Sequence, residues 1–249
     1  MEVAGDPDAL AARIDTLLRE RARPERAAGE KSYLKSSLEH YGTSVPAIRS
    51  AVLEVVGRGV DLPHDDVVAL VRKLWRGPVH ERRAAAVEVL TAHLDALQAD
   101  DIGLVEQLLR ESRTWALVDG LAASVAGPLV ERYPELGDRL DAWARDEDFW
   151  IRRSALLALL LALRRGEGDW VRFTRYADAM LEEKEFFLRK AIGWVLRDTG
   201  RKRPDLVFAW LLPRAGRASG VTVREATKPL SEEQREAITA ARSGTGRRR

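Results

Sequence analysis

The chain has 249 residues, and its 41 lysines and arginines nearly balance its 39 aspartates and glutamates, for a formal net charge of +2. It contains no cysteine, which excludes disulfides and thiolate chemistry. The longest apolar run, Ala155 to Leu163, is too short to span a bilayer, and the acidic N-terminus lacks the apolar core of a signal peptide. We therefore expect a cytoplasmic protein with no membrane partner.

The composition, rich in alanine, leucine, arginine and glutamate, favours helix almost throughout, and no segment alternates as a strand would. Proline and glycine fall between the apolar-periodic segments, with Gly193 as the clearest exception. The sequence predicts helices, in chain order, at Asp8 to Arg21, Pro24 to Tyr41, from Pro46, Leu62 to Arg76, Glu81 to Leu97, Asp101 to Glu111, Thr114 to Arg132, Pro134 to Ala144, Asp148 to Arg165, Trp170 to Leu181, Lys184 to Thr199, Pro204 to Leu212 and Thr222 to Ser231.

A short phrase recurs along these helices and is marked by four arginines, Arg82, Arg152, Arg189 and Arg224. The last two steps are 37 and 35 residues, and the first step, 70 residues, is twice that length. A fixed period of this size is typical of stacked helical hairpins, in which each unit contacts its neighbours. We predict an all-α solenoid, a superhelix, forming one repeat domain over residues 1–240 with a basic, disordered tail at 241–249.

The repeat shows which residue types are usual at each position, and Asp119 is an unusual residue for its position. Two residues after the shared arginine position, the other units carry Ala84, Ser154 and Ala191. An aspartate at a position that is otherwise small must be hydrogen-bonded or face a wet groove. A local cap or an ion pair with a neighbouring arginine is the alternative that the residues alone leave open.

Aromatic residues also occupy a shared position, because Trp115, Trp150 and Phe187 each lie two residues before the arginine position. This makes an aromatic wedge a general feature of the repeat. Trp194 differs, since it stands where other units carry the smaller Val87 and Leu157.

Six segments carry a resemblance to a known family: YGTSVPAIR (Tyr41 to Arg49), LWRGPVHERRAAA (Leu74 to Ala86), WALVD (Trp115 to Asp119), FWIRRSAL (Phe149 to Leu156), KEFFLRKAIGWVLRD (Lys184 to Asp198) and VREA (Val223 to Ala226). Through them the chain resembles, from about Tyr33 to Lys228, the bacterial AlkD-like alkylpurine DNA glycosylases. The resemblance implies a solenoid of HEAT-like repeats whose concave face binds duplex DNA. It also implies hydrolysis of the N-glycosidic bond of N3- and N7-alkylated purines, without base flipping and without a cofactor.

Carried over by motif, the resemblance implies a catalytic set of Asp119, Trp115, Trp194 and Arg153. Thr114 and Ala116 depart from it, because many members carry a second tryptophan and an aspartate there. Some relatives protect against self-made DNA-alkylating antibiotics, so tolerance of bulky adducts is a further expectation.

Basic residues of the concave helices are expected to bind phosphates, which would make affinity strongly salt-dependent. The expected partner is double-stranded DNA containing alkylated purines, bound by a monomer. The shared Arg82, Arg152 and Arg189 have a rival role as bridges from one repeat to the next, and Arg82 and Arg152 are interpreted as structural. The DNA-binding candidates are Lys35, Arg49, Arg153, Arg189, Lys190, Arg197, Arg224 and Lys228.

No metal site is expected, because the four histidines, His40, His64, His80 and His93, show no ligand spacing. Two further hypotheses compete with a glycosylase. One is a non-catalytic repeat protein that binds damaged or branched DNA, and the other is a protein-interaction scaffold, which would present apolar or acidic residues and bind independently of salt.

Overall fold

The structure is a computed structural model that describes residues 5–57 and 62–246, except for the side chains of residues 244–246. Helices dominate it, as predicted. They are α1 (Pro7–Glu20), α2 (Pro24–Leu34), α3 (Val45–Val56), α4 (His64–Trp75), α5 (His80–Ala92), α6 (Ile102–Ser112), α7 (Trp115–Gly120), α8 (Gly127–Arg132), α9 (Gly137–Trp143), α10 (Phe149–Leu157), α11 (Leu160–Arg164), α12 (Trp170–Met180), α13 (Phe186–Gly200), α14 (Pro204–Leu211), α15 (Gly220–Ala226) and α16 (Glu232–Gly246).

The prediction of an all-α chain without a sheet is confirmed for the described residues. Their single β-type pairing is an isolated parallel bridge between Glu39 and Val79. None of the helices in this part of the chain is long and apolar enough to cross a membrane.

Two compact units divide the chain, Met1–Val125 and Ala126–Arg249. In the first, α1, α3 and α4 all pack against α5, and their apolar faces form a core in which Ile14, Leu18, Leu70, Leu74 and Leu90 are fully buried. The prediction of a single domain over residues 1–240 is not tested by this division and stays a prediction.

In the second unit, α13 is the central helix and packs against α10, α11, α12, α14 and α15. Its closest neighbour is α15. A Cβ atom added at Gly193 would lie 2.8 Å from the Glu225 Cβ atom and 3.0 Å from the Thr222 carbonyl oxygen. The absence of a side chain at Gly193 therefore lets α15 approach α13, which explains a glycine inside an otherwise regular helix.

Gly193→Ala is expected to lower the free energy of unfolding by about 1–3 kcal/mol, because the new methyl group would overlap the backbone of Thr222. The matched control is Gly103→Ala in α6, where an added Cβ atom meets nothing within 4 Å. That variant is expected to be as stable as wild type or up to about 1 kcal/mol more stable. Urea denaturation of both variants measures the difference, and equal stabilities would contradict this account of Gly193.

The predicted helix from Pro24 to Tyr41 ends earlier, at Leu34. Lys35 adopts the left-handed conformation, with φ 49°. The residues after it bond elsewhere: the Glu39 amide donates to the Pro78 carbonyl at 2.6 Å, and the His80 amide donates to the Glu39 carbonyl at 2.9 Å. This non-local pairing competes with continued helix, and it brings His40 beside the start of α5.

The predicted helix from Thr114 to Arg132 is helical along its length but is not one α-helix. Leu121–Ala126 is a π-helical segment between α7 and α8. Pro128 lies in the first turn of α8, and a proline cannot donate the amide hydrogen bond of a continuing α-helix. A π-helical turn, which is wider than an α-helical turn, is one way in which a helix adjusts where the regular backbone hydrogen bonds are interrupted.

Two more boundaries differ from prediction. The predicted helix from Asp148 to Arg165 is divided into α10 and α11, which are separated by a turn at the buried Ala158 and Leu159. The predicted helix from Glu81 to Leu97 ends at Ala92 and is followed by a 3₁₀ turn at Leu94–Ala96.

The prediction of a disordered tail from residue 241 is wrong for residues 241–246, which continue α16 to Gly246. Ser231 and Gln234 cap this helix reciprocally, each side chain bonding the other's backbone amide at 3.2 Å. Near its end, the Arg242 guanidinium donates to the carbonyls of Ala215 and Ala218, which fixes the helix to the preceding turn. The arginines at 247–249 lie outside the described residues.

Candidate active site

Helix α7 carries two of the predicted catalytic residues, Trp115 and Asp119. Their spacing of four residues puts them on one face of the helix, about one turn apart. Both are partly exposed, whereas Leu117 and Val118 between them are buried. The helix is thus held in the core of the first unit by its aliphatic residues, and it presents the indole and the carboxylate together at its more open side.

The repeat position that Asp119 occupies is buried to different extents in the two units. Ser154 and Ala191, which occupy the same repeat position in α10 and α13, are fully buried. Asp119 is partly exposed, and Ala84 of α5 is too. The position is therefore a packing contact in the second unit and accessible in the first. The carboxylate of Asp119 is thus accessible on a packed helix, and this leaves open both a wet surface and a local cap or ion pair as the reason for an aspartate here.

Tyr33 of α2, which no pattern in the sequence assigned to the site, lies against Trp115. The two rings meet edge to face, with centroids 5.6 Å apart and an interplanar angle of 89°. Tyr33 is 73% exposed, which is unusual for an aromatic side chain. Trp115 and Tyr33 together form an accessible aromatic surface next to Asp119.

Arg153, the predicted arginine of the catalytic set, lies in α10 in the second unit and is only 3% exposed. Its Nη1 atom donates a hydrogen bond to the Phe187 carbonyl oxygen at the start of α13. The guanidinium carbon is 5.9 Å from the centroid of the Phe187 ring. The contacts with Phe187 orient the guanidinium of Arg153.

Trp194 is partly exposed on α13, and its indole is fixed by a residue that the sequence analysis did not assign. Its Nε1 atom donates to the Asp198 Oδ2 atom at 3.1 Å. Asp198 is 2% exposed and lies one turn after Trp194 on the same helix. The spacing WVLRD, with an acidic residue four positions after the tryptophan, was the signal available in the sequence.

Asp198 is the centre of a charged network. Arg164 Nε donates to its Oδ2 atom at 2.9 Å, and Arg197 Nε donates to its Oδ1 atom at 3.2 Å. Burial acts to raise the pKa of Asp198, but the hydrogen bonds and charges of the two arginines outweigh it and hold that pKa below its ordinary value. Asp198 is therefore a carboxylate at neutral pH, and as an acceptor it orients the Trp194 indole.

The expected aromatic wedge is present in the second unit. The ring centroids of Trp150 and Phe187 are 4.8 Å apart, and Phe149 and Phe187 stack at 6.4 Å. Phe186 extends the cluster outward and is 49% exposed. Trp150 thus packs at a contact between α10 and α13, as a wedge residue does.

The predicted DNA-binding residues other than Arg153 fall into two groups. Three have exposed head groups with no hydrogen bond or ion pair to any described residue: Lys35, Lys190 and Arg224. The Lys190 ammonium lies 5.8 Å from the centroid of the Phe186 ring. The other four are engaged within the protein: Arg49 with Glu88, Arg189 with the Glu183 carbonyl, Arg197 with Asp198 and Glu225, and Lys228 with Glu225.

The repeat arginines share a structural contact. Arg82 donates to the Lys73 carbonyl at 3.0 Å, Arg152 to the Asp146 carbonyl at 2.6 Å and Arg189 to the Glu183 carbonyl at 2.6 Å. In each case the arginine reaches back to the segment before its own helix. This is the bridging role predicted for Arg82 and Arg152, and Arg189 takes the same role, which weakens its candidacy as a phosphate ligand.

Candidate metal ligands also come together, contrary to what the sequence spacing indicated. Glu30, His40 and Glu81 each offer a ligand atom, and these atoms lie within 4.8 Å of one another. The three residues belong to α2, to the segment before α3 and to the first turn of α5. The pairing of Glu39 with the start of α5 brings them together, so no local motif marks them in the sequence.

Comparison with known families gave one match over most of the chain. The family model described as DNA alkylation repair enzyme matches residues 14–230. A comparison with curated proteins returned no significant match.

Two solved structures share the fold. A predicted DNA alkylation repair enzyme from Enterococcus faecalis superposes with a TM-score of 0.75 at 20% identity, covering 85% of this chain and 98% of the other. AlkD2 from Streptococcus mutans superposes with a TM-score of 0.63 at 15% identity, covering 90% of this chain and 99% of the other. The chain thus has the helical-repeat fold of these AlkD-type proteins, as the sequence predicted.

Proposed function

Because the chain belongs to the DNA alkylation repair enzyme family, we propose that it is a DNA glycosylase that removes cationic alkylated purines from duplex DNA. The observation that carries the proposal is the pair of Trp115 and Asp119 on one accessible face of α7. In this chain the carboxylate stands where two of the other repeat units bury a small residue. The proposed reaction is monofunctional: water cleaves the N-glycosidic bond, and no lyase step follows.

The chemistry suits a single carboxylate. An N3- or N7-alkylated purine carries a formal positive charge and leaves as a neutral base, so no general acid is required. Hydrolysis of ordinary glycosides, in contrast, uses two carboxyl groups, one of which protonates the leaving group. As the bond breaks, the deoxyribose gains oxocarbenium character, and the charge of Asp119 stabilises it and orients the attacking water.

The proposed role of the indoles is to stabilise positive charge. Each aromatic face contributes roughly 0.5–2 kcal/mol in cation–π contacts. Trp115 is assigned this role on its position beside Asp119. Trp194 and Arg153 are assigned to the same reaction on the resemblance to AlkD-like glycosylases, and the structure of the second unit supports them as oriented groups, through Asp198 and Phe187 respectively.

The proposed partner is double-stranded DNA, which the protein binds as a monomer. We place the protein in the bacterial cytoplasm, where DNA binding would associate it with the nucleoid. The lesion is proposed to remain in the duplex, so that adducts too bulky for a closed pocket are also accepted. The direct test is incubation with a duplex containing one N7-methylguanine, followed by alkali. Strand cleavage at the lesion supports the proposal. Tight binding without cleavage on several alkylated purines would instead support a non-catalytic DNA-binding protein.

Lys190→Gln and Arg224→Gln are each expected to weaken binding to undamaged duplex DNA and to lower the slope of log affinity against log salt by about 1. Both side chains are exposed and carry charges that no ion pair with the described residues offsets. Fluorescence anisotropy over a range of salt concentrations measures the slope. Arg49→Gln is the matched control, because Arg49 is already paired with Glu88 at 2.9 Å. An equal loss of slope in all three variants would contradict the distinction between unpaired and paired residues.

A further inference from the structure

A cluster of candidate metal ligands that has no part in the proposed reaction lies in the first unit, on α2, α5 and the segment before α3. We propose that Glu30, His40 and Glu81 bind a first-row divalent transition metal ion, of the Zn²⁺ class, which fastens α2 to α5. One ligand atom from each of the three lies within 4.8 Å of the other two. Ligand atoms bound at about 2.0–2.2 Å in a tetrahedral site lie roughly 3.3–3.6 Å apart, so small side-chain adjustments would bring these three atoms to binding distance.

One oxygen of the Glu81 carboxylate holds backbone amides in place, and the other has the environment of a metal ligand. It is fully buried, and its Oε1 atom accepts from the amides of Gly42 at 2.7 Å and Thr43 at 3.2 Å. Its Oε2 atom is also buried, and no donor among the described residues reaches it. A buried carboxylate oxygen without a donor or cation is costly, and a bound cation removes that cost.

His40 supplies the nitrogen ligand. Both of its ring nitrogens are buried and have no hydrogen-bond partner among the described residues. The ring stacks on His80, with centroids 4.6 Å apart and planes 10° from parallel. An imidazole nitrogen that lacks a hydrogen-bond partner is available to bind a metal ion, and imidazole is the commonest metal ligand in proteins.

Glu30, on α2, is the third proposed ligand, and the three ligand atoms together indicate the class of metal. Glu30 is partly exposed and pairs with Arg26 one turn earlier, so its side chain can turn toward a cation. One imidazole nitrogen and two carboxylate oxygens suit Zn²⁺ and its neighbours, with a remaining position for water. Mg²⁺ and Ca²⁺ favour sites made of oxygen ligands alone, with six or more positions.

A metal ion at this site would hold α2 in position. This helix has no buried residue, so apolar packing contributes little to holding it in place. A metal bridge from Glu30 to His40 and Glu81 would fix it on α5. Tyr33 is three residues after Glu30, on the same side of the helix, and its ring contacts Trp115. The metal would thus set the position of the aromatic surface beside Asp119 while taking no part in bond cleavage.

The test uses the full chain, freed of metal with a chelator, and Zn²⁺ as the probe in isothermal titration calorimetry without DNA. One Zn²⁺ per chain is expected, with little binding of Mg²⁺ at the same concentration. Thermal denaturation is expected to shift upward with Zn²⁺. Because DNA is absent, the outcome is independent of whether the chain proves to be a glycosylase.

Two variants locate the site. Glu30→Gln and His40→Phe, the second of which keeps an aromatic ring against His80, are each expected to weaken Zn²⁺ binding at least tenfold. Glu81 is left unchanged, because its Oε1 atom holds Gly42 and Thr43 in place. Circular dichroism verifies that both variants remain folded.

His64→Phe is the matched control, since His64 also lies against carboxylates, with Nε2 2.9 Å from Asp101 and Nδ1 3.0 Å from Asp65. It is expected to bind Zn²⁺ as wild type does. Absence of 1:1 binding by wild type would overturn the proposal. Wild-type affinity in both Glu30→Gln and His40→Phe, or loss of binding in His64→Phe, would overturn it equally.

Discussion

Asp119→Asn is expected to slow release of N7-methylguanine from duplex DNA by roughly 100- to 1000-fold, which corresponds to about 3–4 kcal/mol of transition-state stabilisation. Asparagine keeps the shape of the side chain on α7 but removes the charge that opposes the oxocarbenium ion. Single-turnover kinetics, with alkali cleavage of a labelled duplex as the readout, measures the rate of glycosidic hydrolysis separately from product release.

Asp138→Asn is the matched control. Asp138 is an exposed carboxylate in the first turn of α9, so its loss removes one charge without touching the proposed site. It is expected to release the base at the wild-type rate. Affinity for undamaged DNA should change little in either variant. If Asp119→Asn and wild type release N7-methylguanine equally fast, Asp119 has no part in the reaction and the proposed mechanism is wrong.

The sequence predicted the helices well where their ends are set by local chemistry. Pro7, Pro24 and Pro204 each lie in the first turn of a helix, where a missing amide hydrogen is not needed. Asp148 and Glu185 cap α10 and α13 by accepting from the amide two residues later. These signals require no knowledge of the rest of the chain, so the order and type of most elements could be derived from them.

The early end of α2 depends on residues distant in the sequence. α2 stops at Leu34 because Glu39 pairs with the segment before α5, some forty residues later. The capping box of Ser231 and Gln234, in contrast, was a readable signal that the prediction of a tail overlooked. The early end of α2 thus follows from tertiary structure overriding helix propensity. The helix at residues 241–246 follows from a local capping pattern that the prediction did not use.

In the candidate site too, the sequence revealed residues marked by a local pattern but not those brought together by tertiary contacts. Asp119 was identified because the repeat defines what is ordinary at its position, and Trp194 because it replaces a smaller residue. Tyr33 and the three proposed metal ligands were missed, since they meet their neighbours only through the fold. A repeat comparison finds residues that deviate from the repeat, but it cannot find contacts that a segment outside the repeat creates.

Asp198 leads to the second prediction of large effect, because it supports both the stability of α13 and the orientation of Trp194. Asp198→Ala is expected to lower the free energy of unfolding by about 2–3 kcal/mol. Removing one partner of a buried ion pair costs more, but Arg164 is 43% exposed and regains water. Urea denaturation measures this loss. Glycosidic hydrolysis should also slow, since the Trp194 Nε1 atom loses its acceptor.

Asp198→Asn separates the two roles. An asparagine carbonyl oxygen can still accept from the Trp194 indole, but it no longer carries the charge that pairs with Arg164 and Arg197. We therefore expect a stability loss nearer to that of the alanine variant, with a hydrolysis rate nearer to wild type. Rates that fall equally in both variants would show that the charge of Asp198, and not the orientation of the indole, affects the reaction.

Asp178→Ala provides the control within the same unit. Asp178 pairs with Arg214 through contacts of 2.5 and 2.8 Å, but both side chains are partly exposed, at 34% and 27%. Exposed pairs contribute little, so this variant is expected to lose less than about 1 kcal/mol and to keep its hydrolysis rate. A loss as large as that of Asp198→Ala would mean that burial does not distinguish the two carboxylates, and Asp198 would then have no special place in the support of Trp194.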